Sequence, residues 1–340
     1  YRHTITDLNK AIKFMPLIGK DYVNRGNNYC ATGDFDRAIA EFDTAIQIKP
    51  WDMAAYIARG NAYSSKGNFD RAIADYDIAI RFVPDFVDTY NFRGNAYGYK
   101  EDYSRAIADF DKAIQLKPDF ADAYCGRGNA FGNKGEHDRA LADFDRAIQL
   151  KPDFANAYGG RGSAYSSKGN YDLAILEYDK AIQLSPNDAN AYGWRGFAYY
   201  FKGDYHHAIA DFDVATQINP EFADAYSGRG VAYVSLGDFN RAIADCDKAI
   251  QIKPDFANPY KNRGRAYAGK GEYTRAIADY NTAIQLKSDY AEAYHYRGLV
   301  YKAEQKKDEA IADFKKVLEL NNAPDWQKQA QDRLNELGIK

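Results

Sequence analysis

Cysteine and long apolar runs are scarce in this 340-residue sequence, and each shortage removes a class of protein. The three cysteines, Cys30, Cys125 and Cys246, are odd in number and far apart, so neither a disulfide framework nor a zinc pattern fits them. We expect free thiols and a cytoplasmic location. No run of about 18 apolar residues is present, so the sequence predicts no membrane span.

A basic excess is also missing, since the net charge is −3 and the isoelectric point is about 6.0. That balance argues against a nucleic-acid binder. The five histidines, His3, His137, His206, His207 and His295, lack the spacing of a metal motif. The acidic residues recur at fixed intervals and do not form an acid–base pair. We therefore expect no enzyme, no catalytic residue, no metal site and no cofactor.

Proline, by contrast, is placed with strict regularity. Eight of the ten prolines lie 34 residues apart, at 16, 50, 84, 118, 152, 186, 220 and 254. The amino-acid sequence between successive prolines barely changes, and such self-similarity predicts a solenoid in which each repeat packs on its neighbours. With Gly19 as position 1, nine 34-residue units, which we also call repeats, begin at 19, 53, 87, 121, 155, 189, 223, 257 and 291.

Each unit has the pattern of two helices. Apolar residues recur at helical spacing, a glycine at position 15 marks the end of the first helix, and the proline at position 32 ends the second. Two of the departures from the repeat consensus carry a structural prediction. Glu101 stands at the glycine slot of the third unit, which predicts a strained turn. Cys246 stands where the other units have a ring at position 24, which predicts either a void or a shifted neighbour there.

An arginine at position 7 and a carboxylate at position 23 occur together in all nine units. A bare charge is costly beside a packing face, and the planar guanidinium matches a carboxylate. The sequence therefore predicts a ladder of arginine–carboxylate pairs between neighbouring helices. The alternative is that these arginines bind an acidic ligand.

The aromatic at position 4, Gly at 8, Tyr at 11, Ala at 20, Phe at 24, Ala at 27 and Pro at 32 together resemble the tetratricopeptide repeat. Position 4 holds Tyr rather than Trp, and position 7 holds Arg where the family usually has Leu. The resemblance implies an all-α, right-handed superhelical solenoid of antiparallel helix pairs. We expect one array over 1–340, with a half repeat at 1–18, nine repeats at 19–324 and a capping helix at 325–340.

The resemblance also implies that first-helix positions 2, 5, 9, 12 and 13 line a concave groove that meets ligands. Position 9 holds asparagine in the first four units, at Asn27, Asn61, Asn95 and Asn129. An amide both donates and accepts, so such a row can hold an extended peptide backbone. The alternative is that asparagine merely tolerates a solvated face.

The sixth unit interrupts this polar face with large apolar groups. The candidate contacts are Trp194, Phe197, Tyr200 and Phe201, with Val231 and Val234 in the next unit. They form either an anchor site for a partner or an internal contact with a neighbouring helix or another copy. Lys261 and Arg265 resemble part of the family's carboxylate clamp. The rest of that clamp is missing, because Gly193, Phe197 and Val231 replace its polar residues.

We expect a protein–protein interaction scaffold that binds a peptide or partner segment in the concave groove. One alternative is self-assembly, because the half repeat at the N-terminal end leaves Ile5, Leu8 and Ile12 uncovered. Another is a targeting module cut from a larger enzyme, since the sequence begins inside a repeat.

Overall fold

The computed structural model of the protein describes residues 19–320 and 324–339. All the regular elements in these ranges are helices, 19 in number, close to the 20 that the repeat predicts. The chain divides into two compact units, of which the first ends at Lys168 and the second begins at Gly169. The predicted half repeat at 1–18 lies outside the described residues. The single array over 1–340 stays a prediction.

The helices of the first unit follow the repeat closely. They are α1 (described over 19–31), α2 (Phe35–Ile48), α3 (Met53–Ser65), α4 (Phe69–Phe82), α5 (Val87–Tyr99), α6 (Tyr103–Leu116), α7 (Ala121–Asn133), α8 (His137–Leu150) and α9 (Ala155–Ser167).

The second unit continues the same alternation. It contains α10 (Tyr171–Leu184), α11 (Ala189–Lys202), α12 (Tyr205–Ile218), α13 (Ala223–Leu236), α14 (Phe239–Ile252), α15 (Ala257–Gly269), α16 (Tyr273–Leu286), α17 (Ala291–Ala303), α18 (Lys307–Leu320) and α19 (Pro324–Glu336).

Contacts between α3 and α4 show how a pair is arranged. Arg71 lies over the ring of Tyr63, with 5.4 Å to the centroid. The rings of Tyr56 and Phe82 are 6.0 Å apart. Residue numbers fall along α3 as they rise along α4, so the pair is antiparallel, as predicted.

The turns between paired helices use the left-handed conformation that the glycines predict. Gly135 has a φ of 81°, and Glu101, at the same position of the third repeat, has a φ of 61°. Gln305 has the same conformation in the ninth repeat, with a φ of 62°. A side chain is disfavoured in this region because its Cβ crowds the backbone. The predicted strain at Glu101 is therefore present.

Replacing Glu101 with glycine should leave the free energy of unfolding unchanged or raise it by up to about 1 kcal/mol. Relief of the left-handed strain is offset in part by the greater freedom of glycine in the unfolded chain. Urea denaturation measures the difference. Gly135→Ala is the matched control and should destabilise. A clear loss of stability in Glu101→Gly would mean that the glutamate makes a stabilising contact in its turn.

The core of each repeat is one ring held between helix backbones. Phe110, at position 24 of the third repeat, is 1% exposed. A Cβ added to Gly94 would lie 2.9 Å from this ring, and a Cβ added to Gly126 of the next repeat 2.5 Å. One ring therefore fills the space that two glycines leave, and it joins its own repeat to the following one.

Cys246 is the exception at position 24, and a buried amide lies on the facing helix. Asn262 occupies the register position at which Gly126 faces Phe110. It is 3% exposed, and its amide nitrogen donates to the carbonyl oxygen and to Oγ of Ser227 at 3.3 Å each. Of the two outcomes that the sequence leaves open, the structure favours the neighbour over the void.

Cys246→Phe alone should therefore lower the free energy of unfolding by about 1–3 kcal/mol, because the new ring must displace Asn262. The double variant Cys246→Phe/Asn262→Gly recreates the pairing of Phe110 with Gly126 and should recover most of that loss. Urea denaturation of both variants makes the comparison. A single variant as stable as the wild type would show that space remains beside the thiol.

The last helix, α19, packs on the end of the second unit, where the sequence predicts a capping helix. Ala330 and Leu334 of α19 are buried, and Trp326 and Leu337 pack against the same cluster. The helix ends at Glu336, short of the predicted 340. The ring of Trp326 lies 5.1 Å from that of His295, whose burial lowers its pKa to about 4. His295 is therefore neutral at pH 7 and acts as a packing residue.

Candidate binding surface

The predicted arginine–carboxylate pairs are present between the two helices of a repeat. Nε and Nη2 of Arg59 donate to the two carboxylate oxygens of Asp75, at 2.9 and 2.6 Å. The same bidentate pairing joins Arg93 to Asp109, Arg127 to Asp143, Arg195 to Asp211, Arg229 to Asp245, Arg263 to Asp279 and Arg297 to Asp313. These guanidinium groups are engaged internally, so the alternative of an acidic ligand loses its support.

A second carboxylate, which the sequence analysis missed, binds the same arginine. Nη1 of Arg59 donates to Asp43 of the preceding repeat at 2.6 Å. The hydrogen bond to Asp75 raises the pKa of Arg59 despite its burial, so the guanidinium stays charged. Aspartate recurs at position 25 in the first seven repeats, and this recurrence was the signal in the sequence that could have revealed the second partner. Each such arginine therefore connects two repeats.

The four candidate asparagines lie on first helices of the first unit, and all four side chains are exposed. Oδ1 of Asn61 accepts a hydrogen bond from the hydroxyl of Tyr76 at 2.7 Å. The other three asparagines belong to repeats with phenylalanine at position 24, and that ring has no hydroxyl to offer. Their amides are thus available to an external partner from that side.

Two clefts open beside these asparagines, both within the first unit. The first cleft has a volume of about 250 Å³ and is lined by Gly94, Asn95, Gly98, Tyr99, Tyr103, Phe110, Gly126, Asn129, Ala130 and Asn133. The second cleft has a volume of about 150 Å³ and is lined by Gly128, Asn129, Gly132, Asn133, His137, Phe144, Gly160, Ser163, Ala164 and Ser167. Asn129 and Asn133 border both clefts.

Two of the candidate aromatic residues in the second unit present ring surface to solvent. Trp194 is 44% exposed and is tilted against Tyr178, with ring centroids 6.2 Å apart. Phe201 is 58% exposed and stacks on Tyr171 at 5.8 Å. Both rings are therefore held in place on one side and open on the other, as a partner contact requires.

The other apolar candidates are engaged in internal packing. Phe197 is half-buried and meets Phe212 edge-on, with ring centroids 4.9 Å apart. Tyr200 is half-buried and lies 5.5 Å from the ring of Tyr205. Val231 is buried, and Val234 packs against a core cluster. The ring of Phe197 therefore has less free surface than its position in the repeat predicts.

The two candidate cations differ in availability. Lys261 is buried, its Nζ donates to Glu292 at 2.5 Å, and burial lowers the pKa of this lysine. The guanidinium of Arg265 is half-buried and lies 4.8 Å from the ring centroid of Tyr296, a cation–π contact. Lys261 already has an internal carboxylate, so Arg265 is the better placed of the two for an acidic group.

Helix pairs that repeat every 34 residues, with variable exposed residues on the first helix, define the class of helical-repeat proteins. The chain belongs to the tetratricopeptide repeat family. The family's profiles match residues 26–67, 60–100, 94–135, 162–203, 198–237 and 264–305 as TPR repeat. They match residues 121–154, 223–256 and 291–323 as Tetratricopeptide repeat.

Solved structures show the same fold at low identity. A chain of the APC/C hetero-tetramer Cut9–Hcn1 has 16% identity and a TM-score of 0.65, with 92% of this chain and 76% of that chain covered. A tetratricopeptide repeat protein from Parabacteroides merdae has 21% identity and a TM-score of 0.57, with 73% and 98% covered. Yeast Tom70 has 15% identity and a TM-score of 0.52, with 94% and 95% covered.

No curated protein matches this sequence. Within 19–320 and 324–339, no helix combines the length and apolar character that a bilayer crossing requires.

Proposed function

We propose that the protein is an interaction scaffold that binds an extended peptide or partner segment along the first helices of its repeats. The observation that carries this proposal is the row of exposed asparagines at position 9 of four successive repeats in the first unit. Proteins of this family generally act as scaffolds for protein interactions. The APC/C subunit assembly Cut9–Hcn1 is a hetero-tetramer, in keeping with such a role.

A row of amides suits an extended backbone because each peptide unit offers one donor and one acceptor. Asn95 and Asn129 stand at the rims of the two clefts, so a backbone bound to their amides would lie directly over the openings. In the second unit, Trp194 and Phe201 add exposed ring surface of the kind that dominates binding energy at interfaces. These two rings remain our candidates for partner contacts there.

The test selects peptide ligands from a random 12-residue display library and measures their affinity for the chain by fluorescence anisotropy. The triple variant Asn27→Ala/Asn95→Ala/Asn129→Ala changes the three asparagines that have no tyrosine hydroxyl beside them, and it should weaken binding about tenfold or more, because each lost amide hydrogen bond contributes about 1 kcal/mol. The matched control is Gln47→Ala/Gln115→Ala/Gln149→Ala, which removes three exposed amides from second helices. It should bind like the wild type.

Two results would overturn the proposal. One is that the library yields no peptide that binds the chain. The other is that the asparagine variant and the glutamine variant bind the selected peptides equally well, which would place the binding surface elsewhere.

A further inference from the structure

The first and second clefts are copies of one site. Each of the ten residues that line the second cleft lies 34 positions after its counterpart in the first. Asn95 corresponds to Asn129, and Phe110 corresponds to Phe144. Whatever group enters one cleft therefore meets the same floor ring, the same glycine walls and a rim asparagine or its serine equivalent in the other.

The clefts are open because two glycines coincide in successive repeats. Gly98 at position 12 leaves one side of the first cleft without a side chain, and a Cβ there would meet nothing within 4 Å. Gly126 at position 6 of the next repeat leaves a second side of the cleft without a side chain, so the cleft is walled there by glycine backbone and reaches the edge of the Phe110 ring. One repeat earlier the same place is closed, because Phe92 lies over Tyr76 with ring centroids 6.1 Å apart.

The second unit shows which kind of group fits this place. Gly196, Phe197, Tyr200, Phe212 and Gly228 lie at the register positions of the first cleft, three repeats later. There the chain's own Phe197 lies edge-on to the floor ring, 4.9 Å between centroids. Its ring also covers the glycine wall, since a Cβ on Gly228 would lie 3.0 Å from it. The internal occupant of the equivalent place is thus an aromatic ring.

We propose that the two clefts bind two aromatic side chains of one extended ligand, three residues apart in a polyproline II conformation. This inference rests on the proposed function and specifies its ligand. The rings enter over Phe110 and Phe144 in the edge-on geometry of Phe197, while Asn95 and Asn129 bind the ligand backbone between them.

The spacing follows from elementary geometry. Helices α5 and α7 are in contact, as are α7 and α9, and helices in contact pack about 8–10 Å apart. A polyproline II chain advances about 3.1 Å per residue with three residues per turn, so residues i and i+3 share a face about 9 Å apart. A β-strand cannot serve, because its residues i and i+3 point to opposite faces.

The charge of the lining also selects the ligand. The residues that line the first cleft are all uncharged, and the second cleft adds His137 in place of Tyr103. In the first cleft, an acidic or basic side chain would lose water without gaining an ionic partner. Uncharged rings are therefore preferred, with proline between them to favour the extended conformation.

The test measures the affinity of fluorescein-labelled peptides for the full chain by anisotropy. The probe peptide is Pro-Pro-Phe-Pro-Pro-Phe-Pro-Pro. Two peptides of the same composition place the phenylalanines at i,i+2 and i,i+4, and a third replaces both with leucine. We expect the probe to bind at least tenfold more tightly than any of the three.

Filling a cleft should abolish the preference. Gly98→Leu adds a side chain to the first cleft, and Gly132→Leu adds one to the second. Each should weaken binding of the probe about tenfold. Ser64→Leu is the matched control at the same repeat position, beside the place that Phe92 already closes, and should bind the probe like the wild type. Circular dichroism of the three variants serves to check that each is folded.

Equal affinity for the probe and the peptides with shifted spacing would overturn the inference, and so would unchanged binding in both glycine variants. If library peptides still bind in an asparagine-dependent manner, the scaffold function survives that failure. If library peptides also fail to bind, both proposals fall.

Discussion

Phe110→Ala should lower the free energy of unfolding by about 4–5 kcal/mol, at the upper end of the range for loss of a buried ring. Phe110 is 1% exposed, and glycine backbone at Gly94 and Gly126 faces the ring. Glycine has no side chain that can move into the space, so the cavity stays open. The loss should also uncouple two repeats, because the same ring packs against both.

Urea denaturation gives the size of the effect, and hydrogen exchange shows its place. Local protection should fall most in α5, α6 and α7, since each repeat contacts mainly its neighbours. Cys246→Ala is the matched control at the same repeat position and should cost about 1 kcal/mol, because only one sulfur atom is removed. A loss below about 2 kcal/mol for Phe110→Ala would show that the helices close over the space.

Asp75→Ala should be nearly as costly, at about 3 kcal/mol, because it leaves a half-buried guanidinium with one exposed partner. The side chain of Asp75 is 5% exposed and that of Arg59 is 19% exposed. Asp43, the remaining partner, is 44% exposed and cannot replace the two short hydrogen bonds that are lost. Urea denaturation measures the change.

Asp43→Ala is the control, since it removes a solvent-screened contact and should cost less than about 1 kcal/mol. The double variant Arg59→Met/Asp75→Leu should recover most of the stability, because apolar residues of similar size can replace a buried ion pair. Equal losses for Asp75→Ala and Asp43→Ala would contradict the view that the two carboxylates contribute unequally.

The sequence predicted the features that recur in every repeat. The pairing of position 7 with position 23 was found because arginine and a carboxylate occur together at these positions in all nine repeats, and the structure confirms it at Arg59 and Asp75. The turn at Glu101 was found because a single glutamate interrupts a column of glycines. The second partner, Asp43, was missed although aspartate recurs at position 25 in seven repeats, because recurring acidic residues on a second helix are also typical of a solvated face.

The candidate site was harder to predict, because it depends on which side chain of the next repeat faces a given position. Phe197 at position 9 has the pattern of a groove residue, but the glycine at Gly228 in the next repeat lets its ring turn inward. The clefts depend on the same relation, since Gly98 and Gly126, from successive repeats, line the first cleft together. Repeat position alone does not carry this information, whereas comparison of successive repeats does.

The arginine that joins two repeats has a consequence for how such a chain can change in length. Arg59 reaches Asp43 and Asp75, each 16 residues away in opposite directions. A gene duplication or deletion of one whole 34-residue period would give each arginine at the junction a new pair of carboxylates in the old positions. A change that is not a whole number of periods would place a half-buried cation opposite unsuitable side chains. The charge network therefore favours changes of array length by complete repeats over changes of other lengths.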